Sequence, residues 1–153
     1  MKKTIMITGG AGFIGSNFFR YMYEKYKDYN FIILDQLTYA GSIDNLPSFN
    51  PVENNSRLKF WYGNVCNGEL VDTLVSQSDI VVHFAAESHV TRSIYDNSLF
   101  FQTDVMGTQV ISSAVCKYAD RIERFIHIST SEVYGTALTE FIDEEHPLKP
   151  MSP

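Results

Sequence analysis

The sequence has little of several features that mark particular classes of protein. It contains only two cysteines, Cys66 and Cys116, which are too few for a disulfide scaffold and indicate reduced thiols in the cytosol. No apolar run approaches the roughly 18 residues of a membrane span. The apolar stretch after Lys3 ends within a few residues and is too short for a signal peptide. These scarcities predict a cytoplasmic protein without contact to a membrane.

Basic charge is also scarce. Twelve lysines and arginines stand against eighteen aspartates and glutamates, so the net charge is −6. Such a chain lacks the basic field that non-specific nucleic-acid binding needs, and it has no attraction to an anionic lipid surface. No spacing of histidine, cysteine and acidic residues suggests a metal site. The chain has 153 residues, of which 44% are hydrophobic. This length and composition predict one globular domain with one good core.

Short β-branched runs alternate regularly with longer amphipathic ones. Strands are predicted over residues 3–8, 31–35, 58–62, 80–84 and 124–129, and helices over 13–27, 67–76 and 98–118. This alternation predicts an α/β fold, a Rossmann-like doubly wound parallel sheet with five strands present. Ligands on such sheets bind beyond the carboxyl ends of the strands. Functional residues are therefore expected directly after Thr8, Asp35, Tyr62, Phe84 and Ser129.

Two further expectations concern the core. Apolar residues four apart define the expected buried face of the first helix: Ile14, Phe18, Met22 and Tyr26. Two histidines, His83 and His127, lie inside apolar strands and are predicted to be core histidines with satisfied hydrogen bonds.

The clearest motif is the glycine-rich turn Thr-Gly-Gly-Ala-Gly-Phe-Ile-Gly at residues 8–15, between the first strand and the first helix. Glycines there allow a tight turn and close approach of the backbone to a pyrophosphate, which the helix N-terminus attracts. Asp35 follows the last glycine by twenty residues, where an acid binds the adenosine ribose. Because its carboxylate repels a 2′-phosphate, the sequence favours NAD over NADP. A triphosphate P-loop is excluded, since no Gly-Lys-Ser/Thr follows.

With this turn in place, the chain resembles the extended short-chain dehydrogenases/reductases. Three segments resemble the nucleotide-sugar 4,6-dehydratases, most of all those acting on dTDP-glucose: residues 34–41 (LDQLTYAG), 84–94 (FAAESHVTRSI) and 127–135 (HISTSEVYG). The resemblance implies NAD as cofactor and a nucleotide sugar as substrate. It also implies a reaction that oxidises sugar carbon 4, removes water across carbons 5 and 6, and returns the hydride to carbon 6.

The resemblance implies a set of cofactor-binding residues at the strand ends: Gly9, Gly12, Phe13, Ile14, Gly15, Asp35, Gln36, Leu37, Thr38, Asn64, Val65, Phe84, Ala85, Ala86, Ser88 and Thr103. Ser88 and Thr130 are also expected to approach the sugar. The chain departs from the family pattern at several of the matching positions. Asn64 stands where Asp is usual, Asp104 where Asn is common, and Thr91 where Asp is found.

The catalytic residues implied by the resemblance are Thr130, Ser131 and Glu132. In the dTDP-glucose enzymes an Asp-Glu pair follows the threonine, and Glu132 matches the base of that pair. Ser131 replaces the acid, and a hydroxyl has a much higher pKa than the carboxyl it replaces. The Thr-Ser-Glu run also resembles GDP-mannose 4,6-dehydratases, UDP-glucuronate decarboxylases and some UDP-N-acetylglucosamine 4,6-dehydratases, so the nucleotide and the sugar stay open.

These families carry a Tyr-x-x-x-Lys pair on a later helix, directly after a Ser-Pro, and the sequence ends at Ser152-Pro153. Tyr23 and Lys27 have the spacing but lie on the first helix. The resemblance therefore implies that residues 1–153 are the N-terminal NAD-binding domain, without the C-terminal substrate domain and inactive alone. It implies a homodimer for the full-length protein, formed partly by the helix at 98–118.

Two other classes of function fit the same residues. One is a UDP-sugar epimerase or UDP-glucuronate decarboxylase, and the other is a non-catalytic NAD-binding module in which the Tyr-Lys pair is not needed.

Overall fold

The computed structural model describes residues 2–46 and 57–152, in which strands and helices alternate as predicted. The strands are β1 (Thr4–Thr8), β2 (Asn30–Asp35), β3 (Leu58–Tyr62), β4 (Ile80–His83) and β5 (Arg124–His127). The α-helices are α1 (Phe13–Lys25), α2 (Gly68–Val75), α3 (Val90–Tyr95), α4 (Ser98–Phe100) and α5 (Thr108–Lys117). A π-helical segment (Phe101–Gly107) joins α4 to α5, and 3₁₀ turns occupy Ile43–Asn45 and Ser131–Tyr134. None of the described helices is both long and apolar enough to cross a membrane.

All five strands pair in parallel, in the order β3-β2-β1-β4-β5. The prediction of a doubly wound α/β sheet is confirmed. Because β1 lies between β2 and β4, the loop that follows β1 is flanked by the loops that follow those two strands. This arrangement brings distant parts of the sequence to one edge of the sheet.

Each face of the sheet has its own core, because successive side chains of a strand point to opposite faces. Ile5 and Ile7 pack on one face with Phe19 of α1. Met6 packs on the other face with α2 and α5, through residues such as Leu74 and Ile111. Helices therefore cover both faces, which explains why β1, β2 and β4 read as continuous apolar runs.

The buried face of α1 differs from the expected one. Phe19 is fully buried, whereas Ile14 is 63% exposed. A straight α-helix has 3.6 residues per turn, so positions that are four apart drift off the face that meets the sheet. Ile14 also lies in the first turn of α1, beyond the strand ends, where it borders a cleft. Tyr26 is the C-cap residue, directly after the last residue of α1, so it is not part of the helix face.

The expected helix over residues 98–118 is present in extent but not in type. It begins with the single turn α4, is π-helical from Phe101 to Gly107, and is α-helical again in α5 from Thr108. The short helix α3 was not predicted. Between β2 and β3 a 3₁₀ turn lies at Ile43–Asn45, and residues 47–56 lie outside the described part of the chain.

The two strand histidines differ in environment. His83 is 1% exposed, as predicted for a core histidine. The same prediction is wrong for His127, which is exposed. The cause is the position of β5, which pairs on one side only and leaves Ile126 and Ile128 partly uncovered as well.

Candidate functional site

A cleft of about 610 Å³ opens at the carboxyl ends of the strands, where the parallel topology predicts the ligand site. It is bordered by the loops after β1, β2, β4 and β5 and by the π-helical segment. Most of the predicted site residues line it: Gly9, Gly12, Phe13, Ile14, Gly15, Asp35, Gln36, Thr38, Val65, Phe84, Ala85, Ala86, Ser88, Thr103, Thr130 and Glu132. Residues up to 123 positions apart in sequence, Gly9 and Glu132, are thus brought to one concave surface.

The glycine turn fits closely against its neighbours. Gly9 has a φ of +66°, which side-chain-bearing residues rarely adopt, and a Cβ there would lie 2.7 Å from the backbone nitrogen of Ala85. A Cβ on Gly15 would overlap the carbonyl oxygen of Gly9. The turn therefore needs glycine at both positions in order to pack against itself and against the loop after β4.

The N-terminus of α1 faces the cleft without a side-chain cap. Gly12 is the N-cap residue, no side chain bonds the first N–H groups, and no acidic residue occurs in the first turn. The backbone N–H of Ser16, which bonds the carbonyl of Gly12, begins the helical pattern. The preceding N–H groups and the positive end of the helix dipole thus remain available to an anion.

Asp35 connects the glycine turn to the loop after β2. One carboxylate oxygen accepts a hydrogen bond from the Ala11 N–H at 2.9 Å, and the other accepts from the Leu37 N–H at 2.8 Å. Each carboxylate oxygen has two lone pairs, so one acceptor site on each remains for a ligand. Asp35 can therefore hold the walls of the cleft and bind hydroxyl groups at the same time.

His83 forms a buried hydrogen-bond chain beneath the cleft. Its Nδ1 lies 2.6 Å from the Thr8 hydroxyl, and its Nε2 lies 3.1 Å from the Thr108 hydroxyl. The Thr8 hydroxyl also accepts from the Ala85 N–H at 3.3 Å, which extends the chain to the loop after β4. Burial, assisted by the nearby His127, lowers the pKa of His83 to about 4.

Two acidic residues of the cleft were not among the predicted site residues. The carboxylate of Asp104 accepts a hydrogen bond from the backbone N–H of Glu87 at 2.7 Å, and Glu87 is buried. Burial, with a smaller effect of the Glu87 carboxylate, raises the pKa of Asp104. The signal in the sequence was the aspartate at a position where the resembling families have asparagine.

The Thr-Ser-Glu strand end forms the far wall of the cleft. The Thr130 hydroxyl accepts a hydrogen bond from the Glu132 N–H at 3.2 Å and caps the 3₁₀ turn at Ser131–Tyr134. Thr130 and Glu132 line the cleft, whereas Ser131 does not. All three are exposed, so their side chains are accessible to a substrate.

Two other predicted site residues do not line the cleft. Leu37 has a φ of +50° and packs against the core beside α1. The side chain of Asn64 accepts from the Cys66 N–H at 2.8 Å. Their contacts with a cofactor stay predictions.

The Tyr-x-x-x-Lys spacing occurs on α1, away from the cleft. Besides Tyr23 and Lys27 there is a second match, Tyr21 and Lys25, that the sequence reasoning missed. Lys25 donates a hydrogen bond to the Tyr21 hydroxyl at 2.9 Å. At a rise of about 1.5 Å per residue, this pair lies roughly 12 Å or more along the helix from the end at the cleft.

Comparison with known proteins places these features in context. The family model described as GDP-mannose 4,6 dehydratase matches residues 6–153. The low-salt glycan biosynthesis protein Agl12 of Haloferax volcanii is 47% identical over 149 residues, covering 97% of this chain and 46% of the relative. The dTDP-glucose 4,6-dehydratase of Streptomyces niveus is 42% identical, covering 97% of this chain and 44% of its own length.

Among solved structures, the chain is similar to DesIV, a dTDP-glucose 4,6-dehydratase from Streptomyces venezuelae crystallised with NAD and TYD bound. The TM-score is 0.85 at 41% identity, covering 97% of this chain and 46% of that one. The chain thus spans about half the length of the relatives that it matches.

Proposed function

The chain belongs to the GDP-mannose 4,6 dehydratase family, and from this premise we propose that it is the NAD-binding part of a nucleotide-sugar 4,6-dehydratase of the dTDP-glucose type. The observation that carries the proposal is the single cleft that joins the glycine turn and Asp35 to Thr130 and Glu132. A dinucleotide site and an acid-base site share that concave surface. The dTDP-glucose assignment is supported by relatives of that activity at about 40% identity.

The residues of the cleft fit a dinucleotide. The uncapped start of α1 offers N–H groups to a pyrophosphate, and Asp35 has acceptor sites left for ribose hydroxyls. A Cβ at Gly12 would have only the Gly9 oxygen, at 3.3 Å, within 4 Å, so the turn leaves open space on its cleft side. When bound, NAD would supply hydride acceptance at sugar carbon 4.

We assign the acid-base chemistry to the end of β5. Glu132 is placed to remove the proton at sugar carbon 5, and Thr130 is placed to hold the sugar through its hydroxyl. Ser131 stands in place of a carboxyl group and does not line the cleft, so Glu132 is proposed also to deliver the proton to the leaving hydroxyl. One carboxyl group can serve both steps because it leaves the first step protonated.

Three further parts of the proposal concern the whole protein. The two free cysteines support action in the cytoplasm, which cell fractionation would test. The span of residues 1–153 is proposed as the N-terminal domain, with the nucleotide sugar held partly by a further domain. Nucleic acid is not a proposed partner, since the net charge is −6.

Calorimetry with NAD and NADP tests the cofactor assignment. We expect NAD to bind more tightly than NADP, because the Asp35 carboxylate repels a 2′-phosphate. Gly12→Ala should weaken NAD binding by about tenfold or more, because its methyl group holds the charged pyrophosphate away from the helix N–H groups. Gly68→Ala is the matched control, since a Cβ there meets nothing within 4 Å and Gly68 does not line the cleft.

The same purified chain should form no product from dTDP-glucose, because the described residues place no Tyr-Lys pair at the cleft. Tighter binding of NADP than of NAD, or equal loss of affinity in both alanine variants, would contradict the cofactor assignment. Product formation by the chain alone would show that the proton at sugar carbon 4 is removed by another group.

A further inference from the structure

Three side chains meet at the rim of the cleft without belonging to the predicted site. The guanidinium carbon of Arg92 lies 4.3 Å from the ring centroid of Tyr39. The ring of His89 lies 6.3 Å from the same ring, tilted by 54°. Tyr39 belongs to the loop after β2, whereas His89 and Arg92 follow β4, so the contact joins two segments about fifty residues apart. We name the pair Tyr39 and Arg92 the clasp.

The strand order places the clasp across the glycine turn. Since β1 lies between β2 and β4, a contact between the loops after those two strands must pass over the turn that follows β1. Tyr39 lies between two residues that line the cleft, Thr38 and Ala40, and His89 lies between Ser88 and Val90, which also line it. The clasp therefore bridges the rim at the point where a dinucleotide would lie on the turn.

Both sides of the clasp are attached to the rest of the site. On the Tyr39 side, the N–H of Ser42 donates to the carbonyl of Ala11 in the glycine turn at 3.1 Å. On the Arg92 side, the neighbouring Ser93 is 4% exposed and lines the cleft, so the helix that carries Arg92 is packed against the site. These anchors hold the backbone on each side, so that the ring and the guanidinium meet at little entropic cost.

Charge gives the clasp a role toward a ligand. No lysine or arginine lines the cleft in the described parts of the chain, and the start of α1 supplies only partial positive charges. Neither of the two ion pairs found within residues 2–46 and 57–152 involves Arg92. Its full positive charge at the rim is thus not neutralised by a carboxylate, while the diphosphate of a dinucleotide carries negative charge.

We propose that Tyr39 and Arg92 form a clasp that retains NAD, with Arg92 stacked on the Tyr39 ring and its charge directed at the pyrophosphate. The inference rests on the proposed function, because it takes NAD as the ligand of the cleft. Because the clasp acts on bound NAD, we expect it to lower the dissociation rate constant of the cofactor more than it raises the association rate constant.

Stopped-flow fluorescence of NADH release into excess NAD tests the clasp. Arg92→Ala and Tyr39→Leu should each raise the dissociation rate constant by about 2- to 30-fold, the range expected for a cation–π contact. Tyr39→Phe keeps the ring and should release NADH at close to the wild-type rate. The double variant Y39L/R92A should be no faster than the faster single variant, because both changes break one interaction.

Arg124→Ala is the matched control for charge, since Arg124 is exposed on β5 and the change in net charge is the same. All these side chains are at the surface, and melting curves should coincide. Wild-type release rates in both R92A and Y39L, or an equal increase in R124A, would overturn the clasp. If the wild-type chain binds neither NAD nor NADH, the result contradicts the proposed function itself. If it binds them but releases them at the same rate in every variant, the result contradicts the clasp alone.

Discussion

At the scale of single residues, His83 shows how a buried titratable group can be held in one protonation state. Both ring nitrogens are occupied by threonine hydroxyls, and the side chain is 1% exposed. A second proton on the ring would place a positive charge in the core. This explains the direction of the pKa shift, because burial favours the neutral ring.

We predict that His83 makes the protein sensitive to mild acid. Its pKa is about 4 when folded and about 6.5 when unfolded, so the unfolded state binds the proton first. Its contribution to stability is complete above pH 6.5 and is lost as the pH falls toward 4. The free energy of unfolding should fall by about 1.5 kcal/mol between pH 6.5 and 5, measured by urea titration.

His83→Gln removes the titrating group and keeps a donor and an acceptor. Its unfolding free energy should be flatter than that of the wild type over the same range of pH. A variant with the same slope would show that other groups cause the acid sensitivity. His89→Gln is the control, because His89 is exposed and does not contribute to the pKa shift of His83, so its slope should stay close to that of the wild type.

Some residues of the site were predictable because their chemistry is local. The glycine turn and Asp35 are recognisable from spacing alone, since the backbone geometry and the ribose contact require those residue types. Glu87 and His83 were not assigned to the site, because their hydrogen-bond partners are distant in sequence. Glu87 bonds Asp104, 17 residues away, and His83 bonds Thr8, 75 residues away. His127 was misjudged for a related reason: an apolar strand does not reveal whether it has one neighbour or two.

At the scale of elements, the helix predicted over residues 98–118 has the predicted length, but its middle is π-helical and not α-helical. The helix predicted from residue 67 has a signal at its start, since the Asn67 side chain caps α2 by accepting from the Leu70 N–H. No comparable signal in sequence marks the π-helical segment from Phe101 to Gly107. Such segments are frequent at functional sites, and here this one carries Thr103 and Asp104 into the cleft wall. Helix α3 was missed because its six residues are too few to show a period.

Asp104 allows a test of what this segment does. Asp104→Ala leaves the Glu87 N–H without an acceptor and should cost about 1–3 kcal/mol of unfolding free energy, measured by urea titration. Asp104→Asn keeps an acceptor oxygen and removes a charge whose pKa is raised by burial, so it should be more stable than the wild type at neutral pH.

The advantage of the asparagine variant should shrink as the pH falls through the raised pKa of Asp104, because the wild-type carboxyl then becomes neutral too. Equal stability of the alanine and asparagine variants at neutral pH would show that the bond to Glu87 contributes nothing.

At the scale of the whole molecule, the exposed apolar surface is the most informative property. Leu99, Phe101, Val105 and Met106 are each about half exposed. They lie on the helical stretch from α4 through the π-helical segment, where the resemblance to the dehydratases implied a dimer contact. Several exposed apolar side chains on one short helical stretch are typical of an interaction surface.

We predict that the chain self-associates through this stretch. Light scattering should show a mass that rises with concentration, and the double variant F101E/V105E should shift it toward the monomer. Gln109→Glu adds charge to an exposed polar position on α5, just beyond this stretch, and should leave the association unchanged. A monomer at every concentration would remove the support for the proposed homodimer.

The central position of β1 also has a consequence in time. The ribosome makes β1 first, and one of its edges pairs with β2, whose register lies 26 residues later at Thr4 and Asn30. The other edge pairs with β4, where Ile5 meets Ile80, 75 residues later. At about 5–20 residues per second, that edge waits roughly 4 to 15 s for its partner. During synthesis, β1 therefore remains open to chaperones or to wrong pairing longer than it takes most small domains to fold.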